Sequence, residues 1–166
     1  DLWVAALTVH SSLSKQAEEL EGDTKLRASY HNVLNPQIPQ PQYILDLASV
    51  VGLSSFALQE LYPQAKVTGL DLSPYFLSVA NYRSQQRQAN INWVHAAAES
   101  TGLPDNSFDL VSIFLTCHEL PQSATQKIFA EVKRVLRSNG HLAIMDMNPQ
   151  SEVYQKMPPY GFTLLK

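Results

Sequence analysis

Two aspartates and the turn between them carry the chemistry this sequence could do. Asp46 lies at the end of the apolar run YILDL, residues 43–47, and Asp71 closes the run KVTGL, residues 66–70. A small-residue turn, Ala48 to Gly52, leads from the first run into LSSFALQEL, residues 53–61. That stretch reads as a helix, with Ser54 or Ser55 available as its cap. A strand, tight turn, helix and second strand, with an acid roughly 20 residues past the turn, forms a known kind of cradle. A nucleoside can lie over the strand ends while the acid accepts hydrogen bonds from the ribose hydroxyls. A second reactive pair, His118 and Glu119, follows the apolar stretch 108–115. A histidine titrates near neutrality, which makes His118 the natural general-base candidate. The same two residues could instead only order the loop before Ser123. Likewise Asp46 could simply cap the turn that follows it, and Asp71 could serve the positive end of the next helix dipole. No cluster with metal-ligand spacing appears, and neither G-x-S-x-G nor a triad order is present.

The elements that must position these groups alternate. Residues 1–30 read as helical, with Gly22 as an interruption, and NPQIPQPQ, residues 35–42, reads as an extended connector because it holds three prolines in eight residues. After Asp71, Ser73 is a ready N-cap and Pro74 fits the first helical position; Phe76, Val79, Ala80 and Arg83 fall on one stripe. Ile91 to His95 and Phe108 to Leu115 read as the third and fourth strands. Asp109 is expected to organise the turn before the fourth, and Cys117 to be a small buried hydrophobe. The helix beyond opens on a capping-box pair, Ser123 and Gln126, buries Ile128, Phe129, Val132, Val135 and Leu136, and ends at Asn139-Gly140. Lys133, Arg134 and Arg137 complement the negative end of its dipole. His141 to Met147 is the fifth strand, and residues 150–166 hold a further partly helical piece.

Alternating strands and helices imply an α/β, Rossmann-like, doubly wound parallel sheet with helices on both faces. The order 3-2-1-4-5 puts a switch point between the first and fourth strands, where a ligand binds. One globular domain is expected: an N-terminal helical arm and connector over residues 1–42, the α/β body over 43–149, and the start of a C-terminal substrate region over 150–166. At 166 residues the chain can build one sizeable core, and 45% hydrophobic with 16% charged residues is a folded composition. A net charge of −3 without a basic cluster disfavours nucleic acid as the main partner. A single cysteine excludes an intrachain disulfide. No apolar run is long enough for a membrane span and no export signal opens the sequence. The expected location is the cytoplasm, or an organelle stroma if a transit segment was removed.

The dinucleotide fingerprint G-x-G-x-x-G would place its last glycine at Leu53, whereas positions 48, 50 and 52 are spaced two and two. That rhythm after an acid resembles the first motif of class I S-adenosylmethionine-dependent methyltransferases, D-x-G-x-G-x-G, with Ala48 and Val50 in place of two glycines. Residues 99–111, ESTGLPDNSFDLV, and 131–142, EVKRVLRSNGHL, are similar to the matching segments of the methyltransferase type 11 group. That group includes the ubiquinone and menaquinone biosynthesis C-methyltransferases. The resemblance implies S-adenosyl-L-methionine as cofactor. Asp46 with the turn residues Ala48, Ser49 and Gly52 would hold its methionine end, and Asp71 its ribose. Leu72, Ala98 and Glu99 would border the adenine, and the backbone at Leu115 would meet the amino group. Alanine at 97 lacks the acid that family members often place there. His118 and Glu119 would stand on the acceptor side, with Tyr30 and His31 as further substrate contacts on a lid. The implied activity is methyl transfer to a small molecule, possibly aromatic or quinone-like; a non-catalytic methyltransferase-like binding domain and a nucleotide-dependent oxidoreductase are the alternatives. The family's sixth and seventh strands have no counterpart before Lys166: the expectation is that the sequence is a fragment, the alternative being that the fifth strand is an exposed edge which something else covers.

Overall fold

The computed structural model describes residues 22–146. The expected helical arm before residue 22 and the expected piece at 150–166 lie outside the described residues. Five parallel strands form one sheet: β1 (Tyr43–Leu47), β2 (Lys66–Asp71), β3 (Ile91–His95), β4 (Phe108–Phe114) and β5 (Leu136–Met145). Their order is β3-β2-β1-β4-β5, the order expected of the doubly wound sheet, so β1 and β4 flank the switch point. Asp46 stands level with Gly69 of β2 and with Ser112 of β4. Ser112 in turn stands level with Ala143 of β5.

The two faces of the sheet are filled differently. On one, α1 (Gly22–Gln37) and α2 (Leu53–Leu61) pack Tyr30, Leu34, Phe56 and Leu58 against Ile44, Val67 and Leu110. On the other, α4 (Gln122–Val135) sets Ile128, Val132 and Val135 against Leu45, Leu47, Val111 and Ile113. The remaining helix, α3 (Pro74–Arg87), joins the α1–α2 face. There Trp93 Nε1 donates to Ser84 Oγ at 2.9 Å, and Arg87 lies 4.6 Å from the Phe56 ring centroid. The Trp93 indole lies so close over β2 that a Cβ at Gly69 would fall 2.2 Å from it. Among the described residues no helix is long and apolar enough to cross a membrane.

Several local expectations are corrected. The helix α1 continues through Asn35 and Pro36 to Gln37, which shortens the extended connector. Tyr30, Leu34 and Ile38 are buried at four-residue spacing, and that stripe draws the helical turn past the proline. On α3 the buried stripe is Leu77, Val79, Ala80 and Ser84, with Phe76 and Arg83 at its margin. Ser73 caps this helix as expected, accepting from Phe76 N at 3.4 Å. The helix α4 begins one residue before Ser123, behind Pro121 as N-cap, and uses no capping box. Proline needs no donor at that boundary, and its carbonyl accepts from Ala124 N and Thr125 N. This helix ends at Val135, four residues before Asn139, because Leu136 already pairs with Phe108 of β4. The register then jumps, with Leu110 opposite His141, and the intervening residues form an irregularity in the edge strand. Phe129, expected in the core, is 39% exposed. Asp109 does organise the entry to β4: it accepts from Gln42 N and Tyr43 N, each at 2.9 Å, and from Arg137 at 2.7 Å. Burial works against its ionisation, but these three donors outweigh it and hold the carboxyl below its usual range.

Candidate cofactor and acceptor site

At the C-terminal edge of β1 the chain turns through three residues with positive φ: Ala48 at 58°, Val50 at 50° and Gly52 at 87°. The two-and-two rhythm is therefore a backbone fact, kept even where alanine and valine replace glycine. The turn is braced from β2. Ser49 N donates to Leu70 O at 3.0 Å, and Val50 N donates to Asp71 Oδ2 at 2.8 Å. A β-branched residue in the left-handed region is strained by about 1–2 kcal/mol. Val50→Gly is accordingly expected to raise stability by about 0.5–1 kcal/mol, the relief being partly offset by the entropy of glycine in the unfolded chain. The urea midpoint measures this; a lowered midpoint would mean that contacts of the Val50 side chain outweigh the strain.

Asp46 is fully buried at the centre of this edge. Its Oδ2 accepts from Ser54 Oγ at 2.6 Å and Ser55 Oγ at 2.5 Å. Those hydroxyls therefore do not cap α2, whose N-cap is Gly52 with no side-chain bond. A buried carboxylate is the stronger acceptor and takes both donors. Among the described residues Asp46 Oδ1 has no hydrogen-bond partner, nor has the buried Ser49 Oγ close by in sequence. Burial pushes the Asp46 pKa up to about 6, against the two serine hydroxyls and the charge of Arg27, with the charge of Asp71 adding to the rise.

Asp71 bridges the next helix and the turn after β1. It accepts Ser73 N on Oδ1 at 2.8 Å, at the mouth of α3, and Val50 N on Oδ2. Each carboxylate oxygen has a second lone pair, so ribose hydroxyls can be accepted as well. Leu72 beside it is 68% exposed, a free apolar surface at the edge where a flat ring would rest. After β3, Ala96 N donates to Asp71 O at 3.2 Å, which brings this loop to the same edge; Ala98 is half-buried and Glu99 exposed. Leu115 turns the chain out of β4 at φ 52°, and its N–H is held by Met145 O at 2.7 Å, so a ligand's amino group could meet only a carbonyl there.

Beyond β4 His118 sits in a short 3-10 turn, Cys117–Glu119. Its Nδ1 lies 2.7 Å from Asp146 Oδ1, and Cys117 N donates to Asp146 Oδ2 at 2.6 Å. Glu119 is 72% exposed, its Oε1 3.7 Å from His118 Nε2. Asp146 is the functional candidate that sequence reasoning missed. The signal was present, since Asp146 directly follows β5, as Asp71 ends β2 and Asp46 stands one residue before the end of β1. Cys117 is half-buried rather than enclosed; burial, then the neighbouring Asp146 charge and hydrogen bond, push its thiol up. Tyr30, expected as a substrate contact, instead bonds Ser112 Oγ at 2.9 Å and donates to Ala143 O at 3.1 Å inside the core. Burial raises its pKa. His31 is half-buried on the same helix, 6.2 Å from the Tyr30 ring.

A parallel sheet with strand-end carboxylates on β1 and β2 and a glycine-type turn between them defines the class I methyltransferase architecture. The methyltransferase domain family matches residues 45–144, and the chain belongs to that family. A demethylmenaquinone methyltransferase of Thermus thermophilus is 31% identical over 109 residues, covering 66% of this chain and 49% of that relative. A ubiquinone/menaquinone biosynthesis C-methyltransferase of Methylobacterium nodulans is 33% identical over 119 residues, covering 70% and 46%. The chain thus spans about half the length of the curated relatives it matches. In fold it resembles a SAM-dependent methyltransferase from Aquifex aeolicus, with TM-score 0.67, 21% identity and coverage of 91% and 84%. S-adenosylmethionine is the cofactor this family implies. The orphaned Asp46 oxygen fits it, as a buried acceptor without a donor beside a turn that keeps the glycine conformation.

Proposed function

We propose that this protein transfers a methyl group from S-adenosylmethionine to a small-molecule acceptor, an aromatic or quinone-like compound of the kind named for its relatives. The observation that carries the reading is the buried, unpartnered Oδ1 of Asp46 at the switch point. An acceptor so placed costs about 1–3 kcal/mol unless a donor arrives, and the cofactor's ammonium group is such a donor. When bound, S-adenosylmethionine supplies a methyl group on a positively charged sulfur. The chain's part is to bind and align. Asp46, Ala48, Ser49, Gly52 and Leu115 hold the methionine end; Asp71 takes the ribose hydroxyls, and Leu72, Ala98 and Glu99 border the adenine. The turn's positive φ values support this reading over a non-catalytic domain, since the cradle persists at Ala48 and Val50 despite the strain.

Calorimetric titration tests the assignment. S-adenosylmethionine and S-adenosylhomocysteine are expected to give saturating heats, and NAD none. Absence of binding by the first two would overturn the reading.

A further inference from the structure

We infer that Asp146 is a positioning residue that makes His118 Nε2 the base for an acceptor bearing a hydroxyl on an aromatic ring. The inference rests on the methyl-transfer reading above. A carboxylate oxygen only accepts hydrogen bonds, so the ring nitrogen 2.7 Å from Asp146 Oδ1 carries the proton. In the neutral imidazole the lone pair then resides on Nε2. Asp146 is itself held by the backbone, through Cys117 N on its other oxygen, so the acid and the ring are fixed by one short turn. His118 and Asp146 side chains are 18% and 15% exposed, open enough to meet a ligand yet largely shielded from water.

Topology places this pair where an acceptor must come. The segments after β4 and β5 lie beside the turn after β1, because Leu47 pairs with Ile113 and Ile113 with Ile144. Among the described residues, the Asp146 carboxylate meets the ring at Nδ1, the Glu119 carboxylate lies 3.7 Å from Nε2, and the Cys117 thiol, its pKa raised by burial, bonds Asp146 rather than the ring. At 3.7 Å, Glu119 is too distant to occupy Nε2 as a hydrogen-bond partner.

The chemistry selects the acceptor class. A phenolic hydroxyl, with an ordinary pKa of about 10, is protonated at neutral pH and a weak nucleophile. Transfer of its proton to Nε2 breaks the O–H bond, leaves the electron pair on oxygen and in the conjugated ring, and forms an N–H bond on an imidazolium paired with Asp146. The electron-rich oxygen or ring carbon would then take the methyl group as its bond to the sulfonium breaks, the bonding pair leaving on sulfur as S-adenosylhomocysteine; where carbon is the nucleophile, its ring proton is lost to water as aromaticity returns. An acceptor that is already an unprotonated amine needs no such base.

The first readout needs no turnover. In 15N-labelled protein, His118 is expected as the Nδ1–H tautomer, and Asp146→Ala is expected to shift it toward Nε2–H, with Asp146→Glu restoring the native signature. In the presence of S-adenosylhomocysteine, 1,4-naphthalenediol is expected to shift the His118 Nε2 resonance. With S-adenosylmethionine and the same diol, His118→Ala and Asp146→Ala are expected to lower kcat roughly 10²–10⁴-fold. Their calorimetric affinity for S-adenosylmethionine should stay at the native value. A native Nε2–H tautomer, no response to the diol, or loss of cofactor affinity in step with kcat would each overturn the inference. Failure of the native chain to bind S-adenosylmethionine would overturn the methyl-transfer reading itself, and is distinguishable because the tautomer is read without cofactor.

Discussion

Asp46→Asn is expected to gain on the parent protein by roughly 3 kcal/mol between pH 4 and pH 7, and to bind S-adenosylmethionine about 10–100-fold more weakly. Folding raises the Asp46 pKa from 3.8 to about 6. Between those values the unfolded chain has lost the proton while the native chain keeps it, so native stability falls as pH rises through the interval. Above pH 6 the loss is complete and constant; below 3.8 it is absent. Asparagine carries no such titration, and its carbonyl oxygen can still accept from Ser54 and Ser55. It lacks the charge that draws an ammonium group. Urea unfolding of both proteins across this pH range measures the first effect, and calorimetry the second. A variant that tracks the parent at every pH would mean that Asp46 is solvated in the native state. Unchanged cofactor affinity would remove Asp46 from the site.

Glu131→Ala is expected to cost roughly 2–3 kcal/mol, with the opposite pH dependence. Glu131 Oε1 accepts from Thr101 N at 2.8 Å, Thr101 Oγ1 at 2.6 Å and Arg134 at 2.6 Å, while Oε2 accepts Arg134 Nε at 2.9 Å. Arg134 also reaches Asp105. This network ties the segment between β3 and β4 to α4, and with it the loop that carries Ala98 and Glu99. The Arg134 hydrogen bonds, working against burial and helped by Thr101, pull the Glu131 pKa down to about 2. Its contribution is therefore full above the ordinary glutamate pKa and is lost as pH falls through about 2. Parent and variant should converge in stability at that acid end, and a constant gap across pH would show that the loss is one of packing rather than charge.

These two acids show what a sequence discloses and what it withholds. Asp46 and Asp71 were legible because each sits at the end of an apolar run at a fixed distance from a turn, and parallel-strand topology makes that position meaningful. Alternation disclosed a parallel, doubly wound sheet; the order 3-2-1-4-5 is one of those such a sheet takes. The partners of Asp46 were not legible. Ser54 and Ser55 have the composition of helix caps, and only a buried carboxylate competing for the same hydroxyls explains why they face inward. Asp146 went unread because its partner His118 is 28 residues away and meets it only after β4 and β5 pair. Pro36 was misleading because local propensity marks it as a breaker, whereas the buried stripe Tyr30, Leu34 and Ile38 is a tertiary fact. The end of α4 was misplaced for a similar reason: Asn139-Gly140 reads as a stop, but the sheet claims Leu136 first.

The bond from Val50 N to Asp71 Oδ2 joins the loop that would cradle the methionine end to the acid that would hold the ribose. The loop is therefore ordered before any ligand arrives. A ligand that binds there would pay little entropic penalty for ordering this loop. The same link couples the two ends of the ligand mechanically. A change at Asp71 alters the shape of the methionine cradle as well as the ribose contact, so the affinity lost on removing this one carboxylate exceeds the value of the contact it makes.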